Sequence, residues 1–290
     1  MALRILTFLL LIAVPGFASP RETPRETAPP GPVQPPKAVV RENPGDYVVI
    51  VHGLLSRPRS MRSAENYLHQ LGYHTINIRY PSTRATLEEA AQDYLAPAVA
   101  AHCKDVTRKV HFVAHSMGSL AVRHFLTGWN HARLGRVILL AAPNQGAPLV
   151  DTFGDWPLID WICGPGTLSL GTSPDSFPKL LPAPCYETGV IMGARSQLPF
   201  FAPFFEGPND GILPVETGRV PGISDFLVVD ASHGHIRHSV EVHYQIAFFL
   251  ARAKFDHERP SPAGVRLERI PGPRATRTLP ATRPVIFGLW

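Results

Sequence analysis

The stretch Lys109-Val110-His111-Phe112-Val113-Ala114-His115-Ser116-Met117-Gly118-Ser119-Leu120 constrains the fold of this 290-residue chain more than any other. A short apolar run rich in Val and Phe meets a serine flanked by small residues. A segment with helical spacing follows (Leu120, Val122, Arg123, Phe125, Leu126). Strand, tight turn and helix form the context in which a G-x-S-x-G-like pentapeptide has chemical meaning. The turn strains the serine backbone, so the positions two before and two after it must be small. Here they are Ala114 and Gly118. Ala in the first position departs from the strict pattern by one methyl group. Ser116 is therefore the candidate nucleophile.

The flanking sequence supports a buried parallel sheet. Asp46-Tyr47-Val48-Val49-Ile50-Val51 and Arg136 to Ala142 are continuous apolar runs, as expected of strands covered on both faces. Tyr73–Tyr80, Thr188–Ala194 and Ile223–Asp230 read as further strands. A helix is predicted from Met61 to Leu71, stopped by Gly72. Thr86-Leu87-Glu88-Glu89 opens another with a capping box, which Pro97 should kink or shorten. The closing helix spans Ser239 to Lys254. Short joints and strand–helix alternation predict an α/β fold: a mostly parallel sheet of about six strands with helices on both faces.

The alternation breaks between Asn144 and Cys185. A connection this long is usually functional. Its Trp156, Leu158, Ile159, Trp161, Leu168, Leu170 and Phe177 are expected to roof an apolar site as a lid or cap over residues 144–185. Phe200-Phe201-Ala202-Pro203-Phe204-Phe205 is either core or pocket wall.

Residues 1–19 read as a secretory signal, with Arg4, an apolar Ile5–Val14 core and Gly16-Phe17-Ala18 as cleavage site. The chain is expected to be exported, periplasmic or secreted; left uncleaved, the same segment would be an anchor. Residues 20–45 form a Pro-rich linker and residues 257–290 a Pro- and Arg-rich tail, flanking a domain over 46–256. The tail's six Arg and two Glu account for four of the five net positive charges. The folded body is thus nearly neutral, and no nucleic-acid partner is expected. The apolar end, Val285 to Trp290, could dock on the body or on a membrane, so peripheral membrane contact is retained. Export permits a disulfide, and Cys163 with Cys185 is the expected pair, leaving Cys103 as a buried thiol.

A serine hydroxyl needs a base to take its proton and a carboxylate to orient that base. Asp210, in the loop Gly207-Pro208-Asn209-Asp210-Gly211, is the candidate acid, with Asp225 and Asp230 in reserve; a plain Asx-turn is the blander reading of Asp210. His233 directly follows the last strand and is the candidate base, with His235 as alternative. A metal set of His233, His235 and His238 is the lesser reading, because no carboxylate lies near. His111 alternates within a strand, and His115 is the variable residue before the nucleophile. Oxyanion donors are expected from the Met117 amide and from Leu54, after His52-Gly53.

Together, His52-Gly53, Ala114-His115-Ser116-Met117-Gly118, Pro208-Asn209-Asp210-Gly211 and His233 resemble the α/β-hydrolase superfamily, and within it bacterial serine lipases and esterases, over Asp46 to Lys254. The resemblance implies Ser116 as nucleophile, Asp210 as acid, His233 as base, and Leu54 and Met117 as oxyanion amides, with no cofactor or metal. It implies hydrolysis of small-molecule or lipid esters through an acyl-enzyme. An acyltransferase on the same site, or a binding protein that has lost catalysis, are the alternatives. The family's usual sheet has eight strands; the Pro-rich region before Asp46 leaves room for six.

Overall fold

The computed structural model describes residues 45–154, 163–197 and 204–259. The expected leader, most of the linker and nearly all of the tail lie outside the described residues. So do Trp156, Leu158, Ile159, Trp161 and Phe200 to Pro203.

Six strands form one sheet: β1 (Tyr47–Val51), β2 (His74–Ile78), β3 (Val110–His115), β4 (Leu134–Leu140), β5 (Thr188–Gly193) and β6 (Asp225–Val229). Their order is β2-β1-β3-β4-β5-β6 and every pair is parallel. β3 and β5 are buried along their whole length, which explains why they read as continuous apolar runs rather than alternating ones.

Two cores result, one on each face. Val49 and Val51 point to the side covered by α2 (residues 87–102) and α3 (Met117–Gly128). Val48 and Ile50 point to the opposite side, covered by α1 (Arg62–Gln70) and the long C-terminal helix (Val240–Arg252). The period-two alternation of strand side chains assigns neighbouring valines to different cores.

Helix α2 opens as its capping box predicts. Glu89 N–H donates to Thr86 Oγ1 at 3.1 Å, and Thr86 N–H donates back to Glu89 Oε2 at 2.9 Å. Pro97 does not shorten it. The helix continues to His102, with a π-helical stretch over Ala90–Leu95 just before the proline. Proline has no N–H to give and crowds the carbonyl four residues back; the wider π turn, in which Ala96 N–H reaches Ala91 O, relaxes that carbonyl ladder.

Between β4 and β5 the chain makes a long excursion, which among the described residues has three short helices: α4 (Pro148–Phe153), α5 (Pro165–Leu168) and α6 (Phe177–Leu180). Both of its ends are tied to Arg123, a 2 % exposed residue of α3. The guanidinium donates to Asn144 Oδ1 at 3.0 Å, to Leu181 O at 3.3 Å and to Pro182 O at 3.1 Å. Among the described residues it has no carboxylate partner, and burial pushes its pKa down.

The expected Cys163–Cys185 disulfide is not formed; all three cysteines are free thiols. The topology explains why. Cys185 is exposed and lies just before β5, at the N-terminal edge of the sheet. Cys163 is buried at the other edge, where the neighbouring Gly164 packs on the loop after β2; a methyl on that glycine would meet Thr83 O at 1.9 Å. Bridging needs Cα atoms within about 7 Å. Burial pushes the Cys163 thiol up to about 11. Among the described residues, no helix is long and apolar enough to cross a membrane.

Candidate active site

All six strands point the same way, so the loops after β1, β3, β5 and β6 meet at one edge. Ser116 sits in the tight turn after β3. Its backbone has φ 55° and ψ −130°, a region that L-residues rarely occupy. Held strain of this kind persists only where surrounding packing over-determines it. The packing is visible on both sides. A methyl on Gly118 would lie 2.3 Å from His52 O, and one on Gly53 would lie 2.8 Å from Ser116 Cβ. Helix α3 therefore starts in direct contact with the loop after β1, which only glycines at 53 and 118 allow.

That loop is itself pinned. Tyr80 Oη donates to His52 O at 2.8 Å, and the Tyr80 and His52 rings stack at 4.5 Å. His52 Nδ1–H donates to Gly53 O at 2.9 Å. The ring is fully buried, and burial holds its pKa down at about 4, reinforced by the nearby Arg237 and Arg79. Leu54 follows the loop's close approach to Ser116, and Met117 opens α3. Among the described residues neither Leu54 nor Met117 N–H donates a hydrogen bond to another backbone carbonyl outside the regular elements. The Met117 N–H, next in the chain to Ser116 and at the N-terminus of α3, is where a helix favours negative charge.

The acid and base candidates reach the same point from the other half of the sheet. Asp210 is buried, with a side chain 0 % exposed. Its Oδ1 accepts from Ile212 N–H at 2.9 Å and Leu213 N–H at 2.7 Å, while Oδ2 accepts from His233 Nδ1–H at 2.8 Å. One oxygen thus makes the Asx-turn and the other orients the imidazole; the two readings of Asp210 coexist. Ser116 Oγ–H donates to His233 Nε2 at 2.9 Å. The His233 backbone is fixed as well, its N–H donating to Asp210 O at 2.9 Å.

The reserve carboxylates are occupied elsewhere. Asp225 binds His257 and the Phe255 N–H at the start of β6, and Asp230 pairs with Arg195. His235 is exposed. His238 contacts Ser63 Oγ at 3.4 Å. Among the described residues no three His, Cys, Asp or Glu side chains are grouped to hold a metal ion.

Sequence reasoning passed over His115 as a variable position. Its Nε2–H donates to His233 O at 2.9 Å, and the two rings lie 5.0 Å apart. Complete burial, with His233 close by, holds its pKa far below the usual histidine range. It stays neutral and props the backbone of the candidate base. Only its place beside Ser116 hinted at this role, since no periodicity marks it.

Part of the excursion lies against this edge. A methyl on Gly166 of α5 would be 3.0 Å from Ala85 O and 3.7 Å from Met117 Sδ. A separate cavity of about 390 Å³ opens within the excursion, between α4 and the residues around α6, lined by Val150, Asp151, Ser176 and Phe177 among others.

A six-stranded parallel sheet with a strained serine after its third strand, an acid after its fifth and a histidine after its sixth defines the class: the chain has the α/β-hydrolase fold. Residues 64–157, which contain Ser116 but neither Asp210 nor His233, match the serine hydrolase family. Two similar solved structures are the mature form of the lipase BlEst2 from Bacillus licheniformis and a metagenomic carboxyl esterase, MGS0156. The first has 19 % identity and a TM-score of 0.54, covering 73 % of this chain and 94 % of that one. The second has 21 % identity and a TM-score of 0.55, covering 79 % of this chain and 80 % of that one. No curated protein matches the sequence significantly.

Proposed function

We propose that the chain is an exported serine esterase or lipase that cleaves carboxylic esters through an acyl-enzyme. The observation that carries this reading is the unbroken line of hydrogen bonds from Ser116 Oγ through the His233 ring to Asp210. In the first half-reaction His233 Nε2 takes the hydroxyl proton as Ser116 Oγ attacks the ester carbonyl. The Leu54 and Met117 amides hold the oxygen on which negative charge develops. His233 then gives the proton to the departing alcohol, and the acyl group remains on Ser116. Water, deprotonated by the same nitrogen, releases the acid. Asp210 keeps Nδ1 protonated throughout and stabilises the imidazolium.

A lipid or other acyl ester is the proposed substrate, with the 144–185 excursion as its cover. The contact of α5 with Met117 and the burial of Leu170 support this. The serine hydrolase match and the fold shared with a lipase and a carboxyl esterase point the same way.

The test is covalent labelling by a fluorophosphonate, combined with turnover of short p-nitrophenyl esters. The parent should label at Ser116 and hydrolyse the esters; Ser116→Ala should do neither while keeping its melting temperature. An unlabelled parent would remove the reading. Acyl products transferred to an added alcohol in preference to water would replace hydrolysis by transfer.

A further inference from the structure

Charge is distributed unevenly around the sheet. Between His52 and Ala85 the chain carries five arginines (Arg57, Arg59, Arg62, Arg79, Arg84) and a single acid, Glu65. All five arginines are exposed, and none forms an ion pair among the described residues. Glu65 is occupied by Asn77 Nδ2 at 2.7 Å. Elsewhere Arg108, Arg136, Arg195, Arg219 and Arg259 are each paired with a carboxylate, whereas Arg123 and Arg133 are bound by carbonyl oxygens.

The unpaired arginines share one location. They occupy the loops after β1 and β2, or the first residue of α1, at the edge of the sheet that holds Ser116. The 3-10 turn Pro58–Met61 is joined to β2 by Asn77 Nδ2, which donates to Pro58 O at 2.9 Å. The loop after β6 comes across to the same place, where Ser63 Oγ donates to Arg237 O at 3.2 Å. Arg79 and Arg237 both stand close enough to His52 to disfavour its protonation. Arg62 is the first residue of α1 and Arg237 lies just before the C-terminal helix, so both add positive charge at helix ends that are already positive. Local helix stability would favour acids there.

We propose that this arginine rim is a docking surface for a bilayer containing anionic phospholipid, with the catalytic edge facing the membrane. The guanidiniums are spread over several segments and all are exposed, so they do not converge on a single phosphate. Such a diffuse field fits an extended anionic surface. That the docked edge then meets acyl esters rests on the ester-hydrolase reading; the docking itself does not.

The test uses the full chain carrying Ser116→Ala, so that binding is read without turnover. Its co-sedimentation with phosphatidylcholine vesicles is compared with and without phosphatidylglycerol, over a range of salt. Quadruple replacement, Arg57→Gln/Arg59→Gln/Arg62→Gln/Arg79→Gln, should weaken binding to the anionic vesicles by at least about tenfold at low salt. It should leave binding to neutral vesicles unchanged, and the preference for anionic vesicles should fade as salt rises. The same four positions changed to Lys should retain most of the binding. In the chain with Ser116 restored, the Gln variant should hydrolyse a soluble butyrate ester within about twofold of the parent, as expected for exposed changes away from the reacting atoms. Equal binding of parent and Gln variant to anionic vesicles would overturn the proposal and assign the attraction to the tail. So would a parent that binds duplex DNA but does not distinguish the two vesicle types. Loss of ester turnover without loss of vesicle binding would count against the catalytic reading alone.

Discussion

The two halves of the candidate site are built by different means. On the nucleophile side, backbone packs on backbone: Ser116 is held at φ 55° because Gly53 and Gly118 bring the loop after β1 within contact of α3. On the acid–base side the residues are brought in from 94 and 117 positions further along the chain. There they are held by directed hydrogen bonds: His233 Nδ1–H donates to Asp210, His115 donates to His233 O, and the Ile212 and Leu213 amides donate to Asp210. The lesson is one of failure modes. A change to the packed glycines on the first side disturbs the fold together with the chemistry; a change on the second disturbs the chemistry and leaves the fold standing.

The sharpest separation comes from Asp210→Asn. It preserves shape and can keep the turn, but it no longer holds His233 in the required tautomer. A fall in kcat of about 10⁴ is expected with little change in melting temperature; a loss below tenfold would mean that Asp210 does not orient the base. Gly118→Ala should behave oppositely. Its new methyl would meet His52 O at 2.3 Å, and neither backbone can yield without unseating the other. A destabilisation of about 3 kcal/mol is expected, with activity lost in parallel, measured by urea denaturation.

Acid should also reach the nucleophile side. The folded state holds His52 at about 4 against an ordinary 6.5, so the unfolded chain binds this proton at a higher pH than the native chain. The neutral ring's contribution is complete above pH 6.5 and is lost as pH falls from there towards 4. It is worth on the order of 3 kcal/mol. Melting temperatures taken across that window should fall in the parent and fall less in His52→Asn; parallel curves would break the assignment. The smallest effect belongs to His115→Phe, which removes the prop under His233 O but none of the reacting atoms. A loss in kcat of about tenfold with KM unchanged is expected, as for a misplaced general base. A rise in KM alone would make His115 a substrate contact instead.

The contrast also explains what could be read beforehand. The strands were legible because β3 and β5 are buried on both faces and leave no polar interruption. Ser116 was legible because its constraint is local, written in Ala114 and Gly118. Asp210 and His233 could be nominated from chain order and turn residues, but nothing in the sequence reports the 2.8 Å and 2.9 Å contacts that join them. His115 was invisible because its partner is a backbone carbonyl, which no residue type betrays. The disulfide expectation failed for a related reason: nearness in sequence, from 163 to 185, hides a crossing from one edge of the sheet to the other. Pro97 reports its missing N–H, and not the π turn that lets the helix run on to His102.

Arg123 has a consequence for the excursion it fastens. With Asn144 at one foot and Leu181 and Pro182 at the other gripped by one guanidinium, the entropy of closing that long loop is spent at its base, not along its span. Length and sequence between the feet are then free to drift while the sheet stays in register, so the segment can be exchanged like a fitting on a fixed mount.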